Sequence, residues 1–302
     1  MDLKQLKYFT KVAELGSYTR AAEVLNVAQP VLSRQIRRLE TELHQNLFIR
    51  HGRGVTLSDA GHTLLEHSRL ILQQLTQAEE DMSLTDGKLS GHINLGLPPT
   101  VARTISLDLV KTFQCELPHA GLTLIEALTK NIQESLMLGR LHLGLLYNPI
   151  STQDLDTRLL AEEHLYFICD KRQSYARGRQ QITLRELADI PLIMPSHPNS
   201  FRVLLEQEML KQDLRPHIQL EINSVGVITQ LLADGLGAAI LSRSVLEFIP
   251  HGDRLVALPI YEPQLINRLY LAHSSKRLLT RLQKQVCQVL SELCKLHFPP
   301  LR

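Results

Sequence analysis

Ala21-Ala22-Glu23-Val24-Leu25-Asn26-Val27-Ala28-Gln29-Pro30-Val31-Leu32-Ser33-Arg34-Gln35-Ile36-Arg37-Arg38-Leu39 reads as two short helices joined by a tight turn. Ala21, Ala22 and Leu25 mark the apolar face of the first helix, and Asn26-Val27 makes the turn. Gln29-Pro30 opens the second helix, where proline fits because the first helical turn needs no amide donor. Leu32, Ile36, Leu39 and Leu43 recur at steps of four, three and four, which buries one stripe. The opposite face carries Gln29, Ser33, Arg34, Arg37 and Arg38. An arginine run on a helix is usually just a solvated face. A tight turn, an apolar back and an Arg/Gln/Ser front together describe a helix-turn-helix, since Arg forks onto guanine and Gln onto adenine in the major groove. The expected base readers are Gln29, Ser33 and Arg34, with Pro30 setting the helix start. Arg37 and Arg38, and Arg53 in the cationic loop Arg50-His51-Gly52-Arg53-Gly54, are expected on the phosphate backbone or in the minor groove.

Upstream, Leu3, Leu6, Phe9 and Ala13 have helical spacing, so residues 2–15 form a helix that Gly16 ends. Ser17 or Thr19 caps the next. Ser17-Tyr18-Thr19-Arg20-Ala21-Ala22-Glu23-Val24-Leu25, Gln29-Pro30-Val31-Leu32-Ser33-Arg34-Gln35-Ile36, Leu39-Glu40 and Leu47-Phe48-Ile49-Arg50, in this order, resemble the amino-terminal signature of LysR-type transcriptional regulators. The resemblance implies a winged helix-turn-helix over residues 1–58, a dimerising linker helix and hinge over 59–90, and a two-lobed effector-binding domain over 91–302. Leu6-Lys7-Tyr8-Phe9 and Gly96-Leu97-Pro98-Pro99 are similar, within that family, to the nitrogen assimilation control group. Two positions depart from the family pattern. His44 stands where glycine is usual after the second helix, so a side chain must be carried in a left-handed position. Val31 replaces a usual alanine and is expected to tighten local packing.

Net charge over the 302 residues is only +2, which does not by itself suggest nucleic acid. Its distribution does: residues 1–54 hold nine Lys/Arg against five Asp/Glu, leaving the rest of the chain slightly acidic. Cys115, Cys169, Cys287 and Cys294 are scattered without zinc spacing or disulfide density, as in a reducing cytoplasm. No apolar run approaches the length that spans a bilayer. The expectation is a soluble cytoplasmic protein with no membrane partner.

From Leu57 onward Gly61, Leu64, Ser68, Ile71, Leu75, Ala78 and Met82 alternate steps of four and three, a heptad seam. Packing of this stripe on its own domain is the plainer alternative. The family resemblance favours pairing of two subunits through Leu64, Ile71, Leu75 and Met82, within a homodimer or homotetramer. Asp86-Gly87 and Ser90-Gly91 then break the helix as a hinge.

Beyond the hinge, short strands alternate with helices, which implies parallel α/β sheets with helices on their faces. Strands are expected at 92–97, 122–127, 143–147, 165–170, 192–194, 218–222, 238–241 and 268–273, with helices between them and a last one from Lys276 to about Leu296. By resemblance to the periplasmic-binding-protein-like fold of the family's sensor, the chain crosses to a second lobe near Glu162 and returns near Asn267. That assigns 91–161 and 267–302 to lobe I and 162–266 to lobe II.

Catalytic constellations fit poorly. Gly235-Leu236-Gly237 follows a helix and precedes a strand, the reverse of a dinucleotide loop. Thirteen histidines form no helical metal pair, and no serine sits in a nucleophile elbow. Glu162-Glu163-His164 is the densest acid–base cluster and reads as hinge or surface; Arg172 to Gln180 reads as a solvated loop. A ligand cleft is better supported, because open α/β lobes collect ligands where strand ends meet helix N-termini. Pro99 and Thr100, Thr129, Tyr147, Ser196, His197, Asn199 and Ser224 are the candidate contacts, although plain helix capping explains each Ser/Thr singly. The sequence therefore points to a DNA-binding regulator, not an enzyme, without metal or cofactor. Its expected partners are double-stranded DNA, a small and anionic effector, further copies of itself, and RNA polymerase. The alternatives are a solute-binding or catalytic module with an accessory DNA-binding head, and a regulator whose lobes serve only assembly.

Overall fold

The computed structural model describes residues 1–52, 54–82, 89–248 and 252–298. The chain forms two compact units, Met1–Leu89 and Ser90–Arg302.

The first unit holds α1 (Leu3–Leu15), α2 (Tyr18–Val24), α3 (Gln29–Leu43), the hairpin β1 (Phe48–His51) and β2 (Gly54–Leu57), and α4 (Asp59–Met82). A capping box starts α1: the Asp2 carboxylate accepts from the Gln5 amide at 2.7 Å, and the Gln5 side chain accepts from the Asp2 amide at 2.9 Å. Gly16, at φ 60°, ends it, and Ser17 rather than Thr19 caps α2. Phe9, Val12, Leu32, Ile36 and Leu39 are fully buried in one core, each contributing roughly 1.5–3 kcal/mol. His44 ends α3 at φ 52°, ψ 34°, the left-handed position its sequence context demanded. Val31 does not tighten the packing: it is 43 % exposed, because it sits off the buried stripe.

Two glycines make the head possible. A Cβ on Gly61 would lie 2.1 Å from the Leu47 carbonyl oxygen, and one on Gly54 would lie 2.6 Å from the Gly16 carbonyl oxygen. Gly61 therefore permits α4 to close on the wing and is not a seam residue. Leu64 likewise packs against the head's own core beside buried Leu65, whereas Ile71 is 39 % exposed and Leu75 half-buried. The side chain of Met82 and the hinge residues Asp86-Gly87 lie outside the described residues.

The second unit runs β3 (Gly91–Leu97), α5 (Pro99–Glu116), β4 (Ala120–Glu126), α6 (Thr129–Met137), β5 (Leu143–Tyr147), β6 (Leu155–Asp170), β7 (Ile182–Thr183), α7 (Leu184–Leu187), β8 (Leu192–Met194), α8 (Ser200–Leu210), β9 (Ile218–Glu221), α9 (Val225–Ala233), β10 (Ala238–Ser242), β11 (Leu255–Tyr261), β12 (Ile266–Ser274) and α10 (Arg281–His297). Its sheets are mixed, not parallel. In lobe I, β4, β3 and β5 are parallel, and β12 inserts antiparallel between β5 and β6. In lobe II, β9, β8 and β10 are parallel while β6 is antiparallel to both β10 and β11.

The crossing between lobes is a single long strand. β6 pairs with β12 up to His164 and with β10 from Leu165 onward, so the partner changes three residues after the expected Glu162. The first half of β6 was not expected as strand because its edge position leaves residues 156–159 exposed and polar-rich. β11 was missed too, since Pro259 interrupts its apolar run. Thr280, not Lys276, caps the last helix, accepting from the Gln283 amide at 3.0 Å.

Candidate nucleic-acid interface and ligand cleft

α3 is fixed from behind and free in front. Its stripe Leu32, Ile36 and Leu39 anchors it, and the Glu40 carboxylate accepts from the Leu47 and Phe48 amides at 2.9 and 3.4 Å, tying the helix to the wing. Nothing in the apolar periodicity announces that role for Glu40. Gln29, Pro30, Arg34, Arg37 and Arg38 are exposed and Ser33 is half-buried. The guanidinium groups of Arg34 and Arg37 make no hydrogen bond or ion pair with a described residue, whereas Arg38 is drawn sideways to Glu42 at 2.9 Å. Glu42 also takes the amino terminus, so some of the cationic surface is already spent within the protein. The wing closes with His51 opposite Gly54; Arg53 itself is outside the described residues.

In the second unit, one cavity of about 30 Å³ lies between the lobes. Pro98, Pro99, Thr100, Leu128, Thr129 and Tyr147 line it from lobe I, facing Asn199, Phe201, Val225 and Leu241 of lobe II. The first residues of α5, α6, α8 and α9 thus converge on one place. Thr100 is only 6 % exposed, and its hydroxyl has no hydrogen-bond partner among the described residues. It is not a cap: Pro98 occupies that position on α5 without a side-chain bond, as Leu128 does on α6. Free amides are therefore left at both lobe I helix starts. Thr129 Oγ1 accepts from the Tyr147 amide at 3.0 Å, and Tyr147 meets Phe201 across the lobes with ring centroids 5.7 Å apart.

Other expected contacts are engaged elsewhere. Asn199 caps α8 while still lining the cavity. Ser224 caps α9, Ser196 bonds Asn223 Oδ1 through both its amide and its hydroxyl, and His197 pairs with Glu206 at 2.8 Å; none of these three is in the lining. Arg103, one turn beyond Thr100 and not among the expected contacts, approaches lobe II: its Nη1 lies 3.5 Å from where a Cβ on Gly226 would be. Glu163, expected at a hinge or surface, lies where β6 crosses between the lobes but is buried, accepting from the Tyr147 hydroxyl at 2.5 Å. Burial without a countercharge pushes both groups above their ordinary values.

A winged three-helix head with an open arginine face, followed by two α/β lobes that meet at a small cavity, defines a class of transcriptional regulators. The chain belongs to the LysR family: residues 3–62 match the bacterial regulatory helix-turn-helix protein, lysR family, and residues 86–295 match the LysR substrate binding domain. It is a LysR-type transcriptional regulator. Over 245 residues it is 35% identical to the nitrogen assimilation regulatory protein nac of Klebsiella aerogenes, covering 81% of this chain and 79% of that protein. Full-length OxyR of Pseudomonas aeruginosa, as a substituted variant, has the same fold with TM-score 0.79 at 22% identity, covering 98% of this chain and 95% of that one. Full-length CbnR, solved in complex with its target DNA, gives TM-score 0.66 at 22% identity over 97% of this chain and 100% of that one. Among the described residues no helix is long and apolar enough to cross a membrane.

Proposed function

We propose that this regulator binds double-stranded promoter DNA as a dimer or tetramer in the cytoplasm, and that a small effector held between its lobes controls it. The head over 1–58, linker over 59–90 and effector domain over 91–302 divide these tasks. Gln29, Ser33 and Arg34 read base edges from the amino-terminal part of α3, with Pro30 at its start; Arg37, Arg38 and Arg53 hold the backbone. Ile71, Leu75 and Met82 join two heads, with Leu64 shared between that seam and its own core. RNA polymerase is the further partner through which a bound regulator acts on a promoter. The relatives are named as transcriptional regulators, which favours regulation over catalysis.

The observation that carries this reading is the face of α3, where the exposed Arg34 and Arg37 guanidinium groups make no hydrogen bond or ion pair with a described residue, on a helix backed by the core. Genomic footprinting of the full-length protein tests it: discrete, near two-fold symmetric sites are expected, and uniform background occupancy overturns it.

For the effector, Thr100, Thr129, Pro99, Tyr147 and Asn199 form the contact set, with Ser196, His197 and Ser224 shaping the loops around it. Uncapped helix starts and the nearby Arg103 suit an anionic group. A cavity of about 30 Å³ holds little more than one water, so an effector enters only when the lobes part. A thermal-shift panel of acetate, succinate and benzoate is the direct test, since a ligand at about 100 times its Kd adds about 2.7 kcal/mol. Absence of any shift across a wide acid panel favours lobes that serve only assembly.

A further inference from the structure

Two strands, β6 and β12, carry the chain between the lobes, and each bears a buried polar side chain where the lobes join. Glu163 on β6 stands directly opposite Asn267 on β12. Glu163 is 9 % exposed and Asn267 fully buried, yet Glu163 Oε1 and Asn267 Nδ2 have no hydrogen-bond partner among the described residues. The remaining atoms are committed within lobe I: Glu163 Oε2 accepts from the Tyr147 hydroxyl, and Asn267 Oδ1 accepts from Asn148 Nδ2 at 2.6 Å. On the lobe II side Ser242, at the end of β10, lies near enough to the carboxyl to favour its charge, while its hydroxyl is shared with Ser244 at 2.8 Å.

We propose that Glu163 is a positioning residue of the effector cleft, holding the Tyr147 phenol at the lobe junction and setting how readily the lobes open. The inference rests on reading the cleft as the effector site, because Tyr147 is both its wall and the group Glu163 fixes. Burying an acceptor and a donor without partners disfavours the closed arrangement, and water admitted by opening would satisfy both. The titratable groups facing Glu163 are the Tyr147 phenol on β5 and the Cys294 thiol on α10, both buried and neutral at ordinary pH. No described basic group offsets its charge. Opening hydrates the carboxylate, so a higher pH favours the open cleft and a lower pH the closed one.

The chain contains no tryptophan, so Phe201→Trp places one fluorophore beside Tyr147. Acrylamide quenching of this full-length reporter reads cleft opening with no effector present. Quenching is expected to rise about three-fold with a single-proton profile as pH increases above the usual carboxylate range. Glu163→Gln, which keeps an acceptor for Tyr147 and cannot ionise, should lose that profile. Tyr147→Phe, which leaves both carboxyl oxygens without that donor in the closed cleft, should raise quenching, whereas Glu163→Ala, which removes the group that opening hydrates, should lower it and cancel the effect of Tyr147→Phe in the double variant. A pH profile that survives Glu163→Gln, or effects that multiply in the double variant, overturns the proposal. Should Glu163→Ala fail to fold by circular dichroism, the Gln profile alone decides. If the quenching behaves as expected while no acid in the panel binds, the effector reading fails and the hinge role stands.

Discussion

Arg34→Ala should abolish discrimination at one base pair without touching the fold. Arg34 lies about one and a half helical turns before Leu39 of the buried stripe, is exposed, and makes no ion pair with a described residue, so no contact with a described residue is lost with it. A good bidentate contact to guanine is worth about 1–3 kcal/mol, which is roughly a 5- to 150-fold loss of affinity. The loss should fall on the cognate base: substituting that base in the operator should cost the parent the same factor and the variant almost nothing. Arg38→Ala should behave differently. Its guanidinium is held by Glu42 at 2.9 Å, so its removal should weaken every sequence alike and lower the salt slope by at most about 0.9. The assay is fluorescence anisotropy on a footprint-defined operator and its single-base variants, repeated from about 50 to 200 mM salt. Arg34→Ala binding all these duplexes within two-fold of the parent, or weakening all of them equally, would refute the reasoning that places this side chain at a base edge.

Thr100→Val should leave the melting temperature unchanged, because Pro98 and not Thr100 caps α5, while effector affinity falls by roughly 1–3 kcal/mol; calorimetry beside a melting curve checks both. A lower melting temperature with intact effector response would return Thr100 to a structural role. Ile71→Asp should dissociate the paired heads in analytical ultracentrifugation without unfolding them, since Ile71 is already 39 % exposed within one chain; an unchanged sedimentation profile with full operator affinity removes it from the seam. Glu40→Ala strips the acceptor from two wing amides and should destabilise the head by about 2 kcal/mol, with Glu40→Gln recovering part of it; equal melting of all three proteins contradicts this. Glu163→Gln concerns pH. Folding holds this carboxyl above its ordinary 4.5, so its contribution is fully present below that value and is lost as pH rises through the folded value. The Gln variant should therefore gain stability relative to the parent from pH 5 to 8 in urea titrations, and an advantage that grows towards acid reverses the sign and rejects it.

The head was legible because its determinants are local. The stripe Leu32, Ile36 and Leu39, the proline at the start of α3 and the Gly16 stop each act within a few residues, and His44 takes the left-handed angle that its place demands. Alternation of strands and helices likewise announced an α/β body, and the family resemblance supplied its division into lobes. The remaining features depend on residues far apart in sequence. The seam spacing does not show that Leu64 also packs on the head core, or that a Cβ at Gly61 would collide with the Leu47 carbonyl. The acid pair Glu162-Glu163 looks uniformly polar, yet a strand turns successive side chains to opposite faces. Glu162 therefore meets Arg268 at 2.6 Å near solvent, and Glu163 is buried against Tyr147. The same limit applied in the cleft, where Thr100 and Ser196 have matching sequence contexts. Ser196 is consumed by Asn223, and the Thr100 hydroxyl has no hydrogen-bond partner among the described residues, because partners are assigned by three-dimensional proximity and not by order along the chain.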